Sequence, residues 1–293
     1  MFKGFSAFPI TPADANGRVD TENLAVLLER LVSAKVDSIG LLGSTGTYMF
    51  LNRQERLRAV QAAVDCVAGR VPIIVSVGTI RTDEAVALAG DAAGAGADGL
   101  LLAPVSYTPL TEEEVFGHFT AVAGATDLPL CIYDNPGTTH FSFSRDLIVR
   151  LAENPNIKSV KMAPSTSKAD DIKALRARVP SDFAIGYSGD WEIADAMQSG
   201  ADSFFSAVGG LLPRELKKLF DAAQNEDAQS AAAADVPFNQ LWGLCKAHGS
   251  LRVIYAAAHL MDLTAHQLPA PLRPIDQIED LRPALQTLGV LKP

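Results

Sequence analysis

Cysteine, histidine and clustered positive charge are all scarce in this chain, and each shortage argues against a class of function. The three cysteines, Cys66, Cys131 and Cys245, are far apart and form no CxxC pair. That pattern suggests a reducing compartment without a disulfide framework. Cys131 sits in the apolar run Leu130-Cys131-Ile132-Tyr133 and reads as core rather than as a reactive thiol. A net charge of −9 with no basic cluster argues against nucleic acid as a partner. No segment approaches 18 unbroken apolar residues, so no membrane span is expected. The first ten residues are too short and too broken by Pro9 for a signal h-region, and the expected location is cytoplasmic. No G-x-G-x-x-G follows the first apolar run, so the dinucleotide-binding fingerprint is missing.

What is present is a repeat. Roughly every 25 to 40 residues a short apolar run, a loop and an amphipathic helix follow one another. Eight runs read as strands: Phe5–Ile10, Asp37–Gly43, Pro72–Gly78, Asp98–Ala103, Leu128–Asp134, Ile157–Ala163, Asp182–Ser188 and Asp202–Val208. Helical periodicity follows them, as in Thr21–Val32, Gln54–Val67, Thr82–Ala95 and Thr111–Ala125. Thr82-Asp83-Glu84 and Thr111-Glu112-Glu113-Glu114 set acids at positive helix ends, and the second fits a capping box. Asp37, Asp98 and Asp202 each stand between a helix end and a strand, a weak internal echo of the repeat.

Strands that alternate with helices imply a parallel sheet, and their nearly continuous apolar character implies burial on both faces. Eight units favour a closed TIM (β/α)8 barrel, a fold that commonly occupies about 250 residues. The chain has 293 residues, 48% of them apolar, enough for such a core. After Val208 the pattern turns helical, with Pro213–Gln224, Ala228–Ala247 and Leu251–Met261, a proline-rich arm at Leu268–Pro274, and a last helix around Ile278–Leu288. The expected organisation is a barrel over residues 1–224 with a helical C-terminal extension, 225–293, packed on it.

Barrels of this kind carry their chemistry at the C-terminal strand ends. Those ends hold Gly43-Ser44-Thr45-Gly46-Thr47, Tyr107 within Pro104–Pro109, Tyr133 through Thr139, Lys161, Gly186 through Asp190, and Ser206 through Gly210. Lys161 closes a buried run, where a lysine must be solvated, paired or used. A free lysine titrates near 10.4, so lowering it to about 7 takes roughly 4.6 kcal/mol. Apolar walls act in that direction, and a neutral amine can attack a ketone to form a Schiff base. Exposed N–H groups and hydroxyls in a Gly-Ser-Thr-Gly loop can hold a carboxylate, although alone that run is more often a plain tight turn. Only His140 of the five histidines lies near this rim, so a catalytic metal is not expected. A phosphate site at Gly189 and Gly209-Gly210 would lack an accompanying Lys or Arg.

Taken together, these positions resemble the pyruvate-dependent class I aldolases of the dihydrodipicolinate synthase/N-acetylneuraminate lyase family. The resemblance runs through the Gly43–Gly46 loop with Leu51, Glu55 and Arg56, then Tyr107, Tyr133 with Pro136, Lys161, Ser188-Gly189-Asp190, and the Pro271-Leu272-Arg273-Pro274 arm. It implies a lyase without metal or organic cofactor, acting on pyruvate plus an aldehyde, or on the corresponding 2-oxo acid. Lys161 would form the Schiff base and Tyr133 would be the acid/base. Ser44 and Thr45 would hold the carboxylate, with Ser44 relaying protons. Tyr107 would complete the relay from a neighbouring subunit, in a homotetramer built as a dimer of dimers. Gly186, Thr138 and Ser206 are taken as further substrate contacts, and Asp190 and Glu192 as groups that could serve hydroxyls.

Two departures from the family pattern matter. The usual Gly-Thr-Thr-Gly-Glu reads Gly-Ser-Thr-Gly-Thr, so Thr47 replaces a supporting carboxylate. The arginine that holds the semialdehyde carboxylate in dihydrodipicolinate synthases is absent from Gly137-Thr138-Thr139-His140. Threonine cannot replace a bidentate guanidinium, which argues against lysine biosynthesis. A dehydratase or deaminase using the same imine, or a non-catalytic descendant that binds a 2-oxo acid, are the alternatives.

Overall fold

The echoing aspartates have a physical job at the N-terminal ends of the strands. Asp37, Asp98 and Asp202 each accept, at 2.8 Å, the backbone N–H of the first or second residue of the preceding strand: Phe5, Ile73 and Ile185. Each also donates its own N–H to that residue's carbonyl. The side chain so extends the strand ladder by one bond where it would otherwise fray.

In the computed structural model, which describes residues 1–225 and 228–292, these joints belong to a closed parallel barrel. Residues 226, 227 and 293, assigned by sequence to the extension, lie outside the described residues. The strands are β1 Gly4–Ala7, β2 Ser38–Leu41, β3 Ile73–Ser76, β4 Gly99–Leu102, β5 Leu130–Tyr133, β6 Ile157–Met162, β7 Ala184–Ser188 and β8 Ser203–Ser206. They pair in chain order and β8 closes on β1. All eight expected strands are found. Most are shorter than their apolar runs, because burial continues into the loops after the hydrogen-bonded ladder has ended.

The helices Thr21–Ser33, Arg53–Val67, Thr82–Gly94 and Glu112–Ala123 match their predicted spans closely. Thr111 and Glu114 form the expected capping box. Thr82 is instead the first helical residue, and its hydroxyl lies 2.9 Å from His118 Nδ1. The single helix expected over Ala228–Ala247 is divided into Ala228–Asp235, a 3₁₀ turn Val236–Phe238, and Asn239–His248. Pro237 has no N–H to give the ladder, which accounts for the break. Trp242 bridges it, donating its indole N–H to Asp235 at 2.8 Å and stacking on Phe238 at 5.0 Å.

Two apolar cores result. Phe2, Phe8, Ile74, Leu101, Cys131, Tyr133, Ala184 and Phe205 fill the barrel interior. The larger core lies between barrel and helices and includes Phe238, Trp242, Tyr255 and Leu285 of the extension. Cys131 is fully buried, and burial pushes its thiol up to about 12, consistent with a structural role. No helix among the described residues is long and apolar enough to cross a membrane.

Candidate active site

Lys161 projects from β6 into the barrel mouth, 6% exposed. Its Nζ stands 4.1 Å from the ring centroid of Phe8, 4.2 Å from that of Tyr133 and 5.6 Å from that of Phe205. Phe8 and Phe205, at the C-terminal ends of the first and last strands, meet edge to face at 6.1 Å. Neither ring was singled out from the sequence, where a phenylalanine in an apolar run reads only as core.

Register explains the Lys161–Tyr133 contact. Tyr133 pairs with Lys161, and Lys161 with Gly186, so the three are level on β5, β6 and β7. An irregularity near the start of β5–β6 produces that alignment: Leu130 pairs with Ile157, but Cys131 already pairs with Ser159. Lys158 is the extra residue, turned outward to Asp182 at 2.7 Å. Without it, Tyr133 would stand opposite Val160.

Gly186, expected as a substrate contact, acts as a gap. A Cβ there would fall 2.1 Å from Ser203 Oγ and 2.5 Å from the Phe205 ring. Gly40 does the same for Phe8, whose ring would lie 2.2 Å from an added Cβ. Both glycines admit the aromatic walls beside Lys161.

The Tyr133 phenol accepts a hydrogen bond from Asn135 Nδ2 at 2.9 Å and lies 3.4 Å from Ser44 Oγ. Burial alone would raise this phenol. The charge of Lys161 and hydrogen bonds from Ser44, Asn135 and Lys161 outweigh burial and hold it below its ordinary value. Asn135 also caps the short Pro136–Thr139 helix through its carbonyl, which accepts from both Thr138 and Thr139 hydroxyls. The sequence implies a loop there and gives Asn135 no role. Asn-Pro directly after a strand is the signal that could have found it.

The Ser44 loop is strained. Leu42 and Thr47 adopt left-handed backbone angles, φ 55° and 50°, unfavourable for a bulky and for a β-branched residue. Thr47, where the family pattern has a carboxylate, is buried with its hydroxyl 3.5 Å from Tyr255 of the extension. Arg56 supports the loop from the following helix. Its guanidinium donates to the carbonyls of Ser76 and Gly78 and lies 5.0 Å over the Tyr48 ring. Burial lowers it to about 10.

A cavity of about 540 Å³ opens above Lys161, and Ser44, Thr45, Tyr133, Asn135 and Thr138 line it. The extension contributes Ser250, Leu251 and Leu272, which the sequence reading did not assign to the site. Ser206 is not among the lining residues. It is fully buried, donates to Asp190 and accepts the Gly209 N–H at 2.7 Å. Asp190 is thereby occupied by Ser206 and by the Val208 N–H at 3.2 Å. Burial raises its carboxyl above the usual range despite those bonds. Glu192 pairs with the buried Lys168 at 2.6 Å rather than facing the cavity. His140 is exposed at the end of the Pro136–Thr139 helix and does not line it. Tyr107 is 97% exposed and is not brought to Lys161 within one chain.

Comparison with known proteins shows the family. The profile of the Dihydrodipicolinate synthetase family matches residues 1–288. A 4-hydroxy-tetrahydrodipicolinate synthase of Pseudomonas syringae pv. syringae is 33% identical over 99% of this chain and all of its own length. The crystal structure of a dihydrodipicolinate synthase from Agrobacterium tumefaciens superposes with a TM-score of 0.96 at 53% identity, covering 98% of each chain. That of the Acinetobacter baumannii dihydrodipicolinate synthase complexed with pyruvate does so at 0.91 and 30%, covering 99% of this chain and all of that one. A profile match over residues 1–288, joined to a barrel with a lysine and a tyrosine level at its mouth, places this chain in the dihydrodipicolinate synthetase family, as a lyase of the class I aldolase type.

Proposed function

We propose that the protein is a Schiff-base lyase that joins pyruvate to an aldehyde, or cleaves the corresponding 2-oxo acid, and that its acceptor is not the amino-acid semialdehyde of lysine biosynthesis. The observation that carries the first part is the Lys161 amine set against Tyr133, whose phenol is itself held by Asn135 and faces Ser44. In this reading Lys161 attacks C2 of pyruvate and water leaves as the imine forms. Tyr133 donates and withdraws the protons of that exchange, with Ser44 as relay. Ser44 and Thr45 bind the carboxylate through hydroxyls and N–H groups. The pyruvate complex of the Acinetobacter relative supports the choice of donor. The second part rests on Thr138, which stands on the cavity wall where an arginine would be needed to pair with a second carboxylate.

The same reading assigns Tyr107 to the site of a neighbouring subunit in a homotetramer, which accounts for a tyrosine left almost wholly exposed on one chain. It also treats residues 1–224 as the barrel and 225–293 as an extension that closes one side of the cavity through Leu251 and Leu272.

Intact mass after incubation with pyruvate and sodium borohydride tests the chemistry. Wild type should gain one reduced pyruvyl group and a folded Lys161→Ala variant none. An unmodified wild type would remove pyruvate as donor.

A further inference from the structure

The cavity above Lys161 has far more room than a three-carbon 2-oxo acid needs, and the surplus wall is mainly apolar, with Ser188 and Ser250 as polar members. Met49, Phe50, Trp191, Leu251 and Leu272 line it beyond Tyr133 and Thr138. Trp191 is fixed by a 3₁₀ turn, Asp190–Glu192, that follows Gly189 in a left-handed conformation, φ 91°. That glycine is needed because an added Cβ would meet Pro164, 2.4 Å away, so the turn packs directly against the loop after Lys161. Trp191 therefore stands on a braced segment, with Lys168 tying the loop at Ser165 to Glu192 and Asp195 by bonds of 2.6 Å.

Charge is the second observation. Among the described residues lining the cavity, Lys161 is the one cation, and the imine would use it. The one acid, Asp190, has its oxygens bound by Ser206 and the Val208 N–H. An ionised substituent on an acceptor would lose water against the rings and methyl groups of this wall, where Lys246, its Nζ 5.4 Å from the Trp191 ring centroid, stands outside the cavity lining. An apolar ring would gain, since a Trp face and Leu side chains remove its surface from water.

We infer that the acceptor half of this cavity takes a neutral aldehyde with an apolar, ring-sized substituent, and discriminates against aldehydes carrying a second carboxylate. The inference rests on the imine chemistry proposed above. In the step it describes, C3 of the pyruvate enamine forms a bond to the aldehyde carbon. The enamine electron pair makes that bond, the nitrogen returns to iminium, and the aldehyde oxygen takes the Tyr133 proton. Water then releases a 4-hydroxy-2-oxo acid and frees Lys161, so no oxidant or reductant enters.

A matched pair of aldehydes tests the claim on the full-length protein: 4-methylbenzaldehyde and 4-carboxybenzaldehyde, with glyceraldehyde as a neutral hydroxylated control. The kcat/KM from pyruvate consumption should favour the methyl compound over the carboxylate by about 100-fold. Trp191→Ala should reduce that ratio about tenfold, and Thr138→Arg should also reduce it by raising the carboxylate's value. Equal rates, preference for the carboxylate, or preference for glyceraldehyde over the methyl compound would each overturn the inference. A borohydride-trapped pyruvyl adduct without turnover of the methyl compound would overturn it alone. Absence of the adduct on folded wild type would instead remove the imine reading, and this inference with it.

Discussion

Tyr133 is where opposing residue-level effects meet. Burial disfavours a phenolate, yet a neighbouring amine and hydrogen bonds from Asn135 and Ser44 more than compensate. A phenol so held gives up its proton more readily than free tyrosine, whose value is near 10. As an acid it must be protonated, so the alkaline limb of the reaction should fall below pH 10. Exchange of the pyruvate methyl protons in D2O needs the imine and enamine but no acceptor, and is the direct readout. Its pH profile should show that limb in wild type and lose it in Tyr133→Phe, with the rate lowered about 10² to 10⁴-fold. A limb unchanged in Tyr133→Phe would assign the titration to another group. At this scale the sequence was informative about chemistry and less so about packing. Lys161, Tyr133, Ser44, Thr45 and Thr138, which the sequence singles out as polar groups at the ends of apolar strands, all line one cavity. Gly186 and Ser206 lie at the same strand ends but serve the wall and the Asp190 joint. Nothing in a one-dimensional pattern separates a glycine that touches substrate from one that admits a phenylalanine.

Among elements, the aspartate that joins neighbouring strands is the recurrent device. Asp202 accepts from the Ile185 N–H, fully buried in β7, and pairs with Arg176. Asp202→Ala leaves that N–H without its partner, so the variant should lose about 1–3 kcal/mol in urea unfolding. A loss under a few tenths would mean that water or a shifted carbonyl takes the place of the carboxylate. Strand and helix were separable through most of the barrel because short, nearly continuous apolar runs closed by turns alternate with longer amphipathic segments of period 3.6. Helix continuity was not legible. Ala228–Ala247 keeps an apolar period across Pro237, and only the missing ladder N–H divides it.

For the molecule as a whole, Tyr107 is the telling residue. It is 97% exposed on one chain, and the proposed relay sets it in the site of a neighbouring subunit. The proposed homotetramer predicts a mass by light scattering of four times the 31.1 kDa chain at micromolar concentration. Tyr107→Trp fluorescence should then shift to shorter wavelength on assembly. A monomer with full pyruvate exchange would exclude Tyr107 from the relay.

The sequence by itself determined the barrel and pointed to Lys161 and Tyr133 as the pair at its mouth. Eight apolar runs alternating with amphipathic helices have few other ways to bury both faces of a parallel sheet. It also determined the absence of an arginine from the Thr138 position, which is a matter of composition. Only the tertiary structure decided that Lys161 and Tyr133 stand level, because one extra residue, Lys158, shifts the β5–β6 register and no local periodicity encodes it. It alone brought Phe8 and Phe205 from opposite ends of the barrel chain to the Lys161 amine, and Leu251 and Leu272 from the extension to the cavity. Closure of β8 on β1 is a long-range event. The walls of this site belong to it, while the residues of the proposed chemistry belong to the strand ends.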